Sequence, residues 1–298
     1  RLLNPRKVCC KPSHTLTWPM TTLAPNPVPT AMFGPELLEG ASWFDSNWPF
    51  VGCFLFPIAL TIPFLPFLYT RSSVKSAFDD ALRSPYVLGW LTVPFYLLHQ
   101  TEEHAYDFRG WRYAFVPGFN HGVGALVFKE CEKLGHLRCP LEPRVTSEVN
   151  VGSIWIGFSL CMIAAQCLRG PYAYAGLCNW GTCMVNAFGG HLIPWLLLGY
   201  NPGAVQSLFQ FGFGVWFLSR CPGTLRFAAT AIFDGIIFHI ITFGFGTNLV
   251  LKFHCPTEVV GLLGIITTTL LPLGLARLAA PKKSYEKIEE VEDDASPA

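Results

Sequence analysis

The stretch that decides the fold class is residues 48–69, WPFVGCFLFPIALTIPFLPFLY. It contains no charged side chain, and as a helix it is long enough for the roughly 30 Å hydrocarbon core of a bilayer. Pro57, Pro63 and Pro66 predict kinks, which membrane helices tolerate because neighbouring groups satisfy the freed backbone. The stretch therefore predicts a membrane-spanning helix.

The composition of the whole chain supports this prediction. The 298 residues are 51% hydrophobic and only 14% charged, and the mean hydropathy is +0.37, whereas soluble domains carry about 25% charged residues. The net charge of +1 provides no basic face, so we expect no nucleic-acid partner. Further apolar runs lie at 86–98, 151–168, 182–198, 203–219, 225–246 and 258–278, and a helix that begins with the first of these must continue through 99–104 to cross a membrane.

These runs predict an all-α, polytopic transmembrane bundle of six or seven spans, whose first partner is the lipid bilayer. The expected organisation is a disordered, Pro-rich arm at 1–46, a transmembrane domain at 47–280 and a disordered, charged tail at 281–298. Whether 111–128 crosses the membrane or lies on it stays open. The basic links at 70–84, 169–181 and 220–224 predict a cytoplasmic C-terminus. On the opposite side, Cys131 and Cys139 are expected either to form a disulfide or to remain free thiols.

One cluster of ionisable residues follows the second apolar run. On a helix His99, Glu102 and Glu103 share one face, and His104 comes next. An imidazole and two carboxylates on one face can bind a divalent metal such as zinc or iron, or can act as an acid–base pair. The alternative is a polar helix end whose charges reach water at the membrane surface.

Two further pairs lie inside later spans, where an ionisable group costs about 2.5–3.5 kcal/mol. They are Asn186 with His191, and Asp234 with His239. With a rise of about 1.5 Å per residue, His191, Asp234 and His239 lie about 14–21 Å from the cytoplasmic end, at depths similar to that of His99. We therefore expect these groups to converge. The alternative is that they hydrogen bond or pair only to hold helices together.

Two blocks of sequence carry a family resemblance. The first is His99-Gln-Thr-Glu-Glu103. The second is Asn186-Ala-Phe-Gly-Gly-His191 followed by Tyr200-Asn-Pro-Gly203, in which Asn201-Pro202-Gly203 predicts a tight turn. In this order and spacing the blocks resemble the HXXEE family of polytopic membrane proteins, over about residues 85–220. That family has no assigned function, so the resemblance implies a shared site at His99, Glu102, Glu103, Asn186 and His191 but no reaction.

Three functions remain open at this point. One is a membrane enzyme that acts on a lipid-like small molecule, an isomerase, cyclase or hydrolase using metal or acid–base chemistry. The second is a proton- or cation-coupled transporter, although the two halves of the chain do not mirror each other as inverted repeats do. The third is a structural membrane subunit. The sequence fixes neither the substrate, the organelle nor the oligomeric state.

Overall fold

The computed structural model describes residues 35–220 and 224–281, and every regular element in these ranges is helical. The expected disorder of 1–34 and 282–298 lies outside the described residues. The main helices in chain order are α1 (Trp43–Thr70), α2 (Thr92–Gln100), α3 (Pro143–Leu168), α4 (Ala175–Val185), α5 (Ala204–Ser219), α6 (Leu225–Phe253) and α7 (Glu258–Ala279).

Shorter helices connect the main ones. Their bounds are Pro35–Leu38, Val74–Ala81, Pro85–Trp90, Phe115–His121, Val123–Val127, Cys131–Leu134 and Ile193–Leu198. 3-10 turns lie at Ile62–Phe64, inside α1, and at Gly170–Tyr174. Four segments are wound as π-helix: Thr101–Ala105, Glu148–Phe158, Asn186–Leu192 and His239–Gly246.

Helix α1 shows how the sequence produces a membrane-facing element. Ser42 caps its N-terminus by accepting a hydrogen bond from the Asp45 backbone N–H at 3.0 Å. Only a small share of the helix is buried by the rest of the chain, and Phe54 is 76% exposed. An apolar helix that buries so little of its own surface requires lipid around it.

Four helices, α1, α3, α6 and α7, are long and apolar enough to cross a membrane by length and composition. The chain is thus a helical protein of the membrane, but the predicted count of six or seven spans is not confirmed. The predicted spans at 85–104, 182–198 and 203–219 are not among the four. The helix α5 has 16 residues, or about 24 Å, which falls short of a hydrocarbon core of roughly 30 Å.

The helices pack around an aromatic core. Helix α4 lies at its centre, against both α5 and α6. Its Trp180 is fully buried, donates to the Leu88 carbonyl at 2.8 Å and packs on the rings of Phe95 and Phe217. Residues of α2 and α4 pack in this core, and the π-helical segments Thr101–Ala105 and Asn186–Leu192 continue from these two helices.

The connection at 106–142 is folded against the bundle. Cys131 and Cys139 form a disulfide, which was one of the two alternatives. The Tyr113 hydroxyl donates to the Asp45 carbonyl, and Asn120 binds the backbone of Leu141. Residues 115–127 form the two short helices Phe115–His121 and Val123–Val127, which are far shorter than a span.

Candidate functional site

The first half of the site lies where α2 continues into the π-helix Thr101–Ala105. His99 and Glu103 are four residues apart, and Nε2 of His99 lies 3.3 Å from Oε1 of Glu103. Both side chains are almost completely buried. Because these two side chains are buried, the alternative of a polar helix end whose charges reach water does not fit His99 and Glu103. Single π-helical turns inside longer helices occur frequently at functional sites.

The second half comes from the other π-helix, Asn186–Leu192, which follows α4. It brings Nε2 of His191 to 3.0 Å from Oε1 of Glu103 and Nδ2 of Asn186 to 3.0 Å from Nε2 of His99. The rings of His99 and His191 meet edge to face at 4.7 Å. The two sequence blocks that carry the family resemblance therefore form one buried site.

His99, Glu103 and His191 form a cluster able to hold a metal ion, which we call the His–Glu cluster. One ligand atom from each of the three lies within 4.8 Å of the other two. Two donors that each lie about 2.0–2.1 Å from a tetrahedral zinc ion are about 3.3 Å apart. The contacts of 3.0 and 3.3 Å made by Glu103 match that spacing.

The tautomer of His191 is set by Asn201. The amide nitrogen of Asn201 faces the carbonyl oxygens of Gly190 and His191 at 3.3 Å, so its Oδ1 faces Nδ1 of the ring at 2.9 Å. Because Oδ1 can only accept, Nδ1 carries the proton. In the neutral ring Nε2 would then carry the lone pair that a metal ion needs, 3.0 Å from Oε1 of Glu103. An oxygen that accepts from the other ring nitrogen commonly orients metal-bound histidines.

Glu102 lies outside the His–Glu cluster and binds the start of α5. Its Oε1 accepts from the Tyr200 hydroxyl at 3.0 Å and from the Val205 backbone N–H at 3.3 Å. Its Oε2 accepts from the Gln206 N–H at 2.8 Å. The carboxylate thereby satisfies free N–H groups of the first turn and complements the positive end of the helix dipole.

Gly203 forms one wall of the site. Its φ of +90° lies in the left-handed region that favours glycine. A Cβ at this position would lie 2.7 Å from Cε1 of His191 and 2.9 Å from Cγ of Glu103. The turn expected at Asn201-Pro202-Gly203 is present between Leu198 and Ala204, and it also confines the two ligand side chains.

A small cavity adjoins the cluster. Its volume is about 20 Å³, enough for one water molecule, and its lining includes Tyr96, Glu103, His104 and Asn186. Nε2 of His104 lies 3.5 Å from Oε2 of Glu103, while its ring packs against Trp48. Oε2 of Glu103 therefore faces His104, which also lines the cavity, whereas Oε1 faces His99 and His191.

The other predicted pair is placed apart. Asp234 is buried beside Thr182 of α4. Nδ1 of His239 donates to the Gly235 carbonyl at 2.6 Å, and its ring stacks on Phe243. Neither residue belongs to the three-residue cluster.

Two site residues were not singled out from the sequence, Asn201 and Gly203. The signal was present, because the Tyr-Asn-Pro-Gly turn follows His191 by only nine residues. We interpreted it only as a turn, whereas the structure folds it back onto the histidine.

The family comparison agrees with this geometry. Residues 90–217 match the HXXEE family. The family is described as proteins of unknown function with an HXXEE motif, and the match confirms the resemblance. No curated protein and no solved structure matches the chain. The HXXEE match includes all three residues of the His–Glu cluster, as well as Glu102, Asn201 and Gly203.

Proposed function

We propose that the protein is a membrane-embedded, metal-dependent enzyme that acts on a lipid-like small molecule. The observation that carries the proposal is the buried His–Glu cluster, in which two histidines from separate helices meet one carboxylate. Two imidazoles and a carboxylate are a ligand set of zinc enzymes, and with water or substrate at an open position the same set also serves iron.

The surroundings of the cluster fit a catalytic centre better than a closed structural site. Three protein ligands leave one tetrahedral position open, and the cavity beside Glu103 has room for a single water. A divalent ion at such a site supplies a hydroxide near neutral pH or polarises a carbonyl. Oε2 of Glu103 and Nε2 of His104, which are 3.5 Å apart, are placed to receive and pass on a proton.

The route for the substrate is through the membrane. Within Asn186–Leu192 the His191 side chain is buried, while Phe188 on the same π-helix is half exposed. One face of the segment is thus exposed, where lipid would contact it, and the other faces the cluster. A substrate dissolved in the bilayer would have to cross only the thickness of this segment, which favours an apolar substrate over a water-soluble one.

A metal-free proton-transfer enzyme is the second candidate. One observation favours it: His191 and Glu103 are 3.0 Å apart, close enough for direct contact without an ion. Such a pair could donate and accept protons on a buried isomerase or cyclase substrate.

Elemental analysis of the detergent-purified protein distinguishes these candidates. We expect about one zinc or iron per chain, lost in His99→Ala and in His191→Ala. The matched control is His136→Ala, which removes a histidine of the 106–142 connection outside the cluster. It should retain the metal. Metal-free wild-type protein that is folded, or metal that persists in both cluster variants, would refute the metal enzyme.

The substrate class needs a separate measurement. Wild-type protein in liposomes of a total lipid extract should change the abundance of at least one lipid species, followed by mass spectrometry. Glu103→Gln should abolish the change, because the amide is a poorer metal ligand and cannot accept a proton. Identical lipid profiles for both proteins would count against a lipid substrate.

A further inference from the structure

A second group of buried polar side chains lies at the contact of α4, α5 and α6. It consists of Asn179, Thr182, Gln210 and Asp234, each no more than 1% exposed. Buried polar atoms almost always have hydrogen-bond partners. Here Asp234 Oδ1, Thr182 Oγ1 and both amide atoms of Asn179 and of Gln210 make no well-directed hydrogen bond within the described part of the chain. A group of unsatisfied oxygens in the interior of a membrane protein indicates a missing ligand.

The close approach of α4 and α6 creates this group. A Cβ on Gly181 would collide with the carbonyl oxygen of Ala231, and one on Gly235 would collide with the carbonyl of Gly181. The two backbones are therefore in direct contact. Thr182 follows Gly181 and Asp234 precedes Gly235, so the hydroxyl of one residue comes to lie beside the carboxyl of the other.

The two amides lie around this pair. Asn179 is one helical turn before Thr182 on α4 and lies beside the Cys161 thiol, whose surroundings include Asp234. Gln210 of α5 lies beside Cys183, which is next to Thr182 and is also close to Asp234. Polar side chains from three helices thus lie in the neighbourhood of Asp234.

An ionised Asp234 would require a compensating charge. Within 35–220 and 224–281, no Lys, Arg or His forms an ion pair with it. An uncompensated carboxylate in a low-dielectric interior is costly. One monovalent cation would leave the site neutral, whereas a divalent ion would leave it with an excess positive charge. Carboxylate, hydroxyl and amide oxygens are the ligands that hard cations prefer.

We propose that Asp234, Thr182, Asn179 and Gln210 bind a monovalent alkali cation such as Na⁺. The site is distinct from the His–Glu cluster, and the proposal does not depend on the proposed enzyme function. As a consequence, sodium would stabilise the contact between α4 and α6. The π-helix that carries His191 continues from α4.

The test is the thermal unfolding midpoint of the full chain in detergent, in Na⁺, K⁺ or choline chloride at equal ionic strength. A bound ion stabilises the folded state according to its concentration and Kd. We expect the wild-type midpoint to rise saturably with Na⁺ or K⁺ over choline. Asp234→Asn should abolish the rise. Thr182→Val should raise the half-saturating concentration about ten-fold, as for the loss of one oxygen ligand.

Two controls separate this site from other effects. Asp45→Asn removes another buried carboxylate, one that already binds Ser147, and should retain the cation dependence. His99→Ala, which tests the metal centre, should retain it as well. A wild-type midpoint that is equal in all three salts would overturn the proposal and indicate that Asp234 is protonated. A cation dependence that persists in Asp234→Asn would also overturn it.

Discussion

Replacing Gly203 with alanine should distort the His–Glu cluster although none of its three residues is replaced. The φ of +90° makes an L-residue unfavourable there, at a cost of about 1–2 kcal/mol. The new Cβ would lie 2.7 Å from Cε1 of His191 and 2.9 Å from Cγ of Glu103, so both side chains must move. Overpacking of this kind costs about 1–3 kcal/mol. We expect a total loss of about 2–5 kcal/mol.

Gly199 provides the matched control. Its φ is +88°, but a Cβ there would have no heavy atom within 4 Å. Gly199→Ala should therefore cost only backbone strain, about 1–3 kcal/mol for a residue with a φ of +88° and a ψ of −175°. Gly203→Ala should in addition displace His191 from Glu103 and reduce metal affinity about 10–100-fold, the usual effect of disturbing the surroundings of a metal ligand.

The assay has two parts. Thermal unfolding of both variants is measured at one scan rate, because membrane proteins often unfold irreversibly. Metal affinity is then measured by competition between each variant and a chelator. The reasoning predicts a lower midpoint for Gly203→Ala than for Gly199→Ala and a loss of metal in the former alone. Equal midpoints together with equal metal content would show that the Gly203 wall does not constrain the cluster.

Three more predictions concern residues around the cluster. Glu102→Ala should cost about 1–3 kcal/mol, because buried N–H groups lose their acceptor, yet keep the metal; loss of metal would make Glu102 a ligand. Asn201→Leu should weaken metal binding about 10–100-fold in chelator competition, and unchanged affinity would exclude its role in orienting His191. Replacing Cys131 and Cys139 with serine should lower unfolding stability by about 2–3 kcal/mol and leave metal content unchanged; a reducing agent should lower the wild-type midpoint but not that of this variant.

The central residues of the site could be predicted from the sequence. Buried ionisable groups in apolar segments are costly, and this argument selected His99, Glu103 and His191 before any contact was known. Glu102 could not be separated from Glu103 in the same way, because both are acidic and adjacent. Its partners, the N–H groups of Val205 and Gln206, are about a hundred residues away, and only the tertiary fold brings them close.

The prediction for Asp234 shows a different limit. Counting residues gives the depth of a side chain along the helix axis but not its direction around that axis. Asp234 and His191 were expected at similar depths, yet Asp234 lies against Thr182 and His191 against Glu103.

The number of membrane spans could not be predicted from the sequence for a related reason. An apolar run shorter than about 18 residues can be either a span or a buried core helix.

The attachment of Glu102 to the first turn of α5 has a consequence for the length of the chain between the two sequence blocks. The carboxylate closes a segment of about a hundred residues, and the entropic cost of such a closure grows only with the logarithm of its length. Extra residues in that segment therefore add little cost, provided that they lie on the surface. The stretch 132–135 is exposed and bounded by a disulfide. It offers a position where an epitope tag could be inserted to determine which side of the membrane this connection faces. Chelator competition would report whether the proposed metal centre stays intact in the tagged protein.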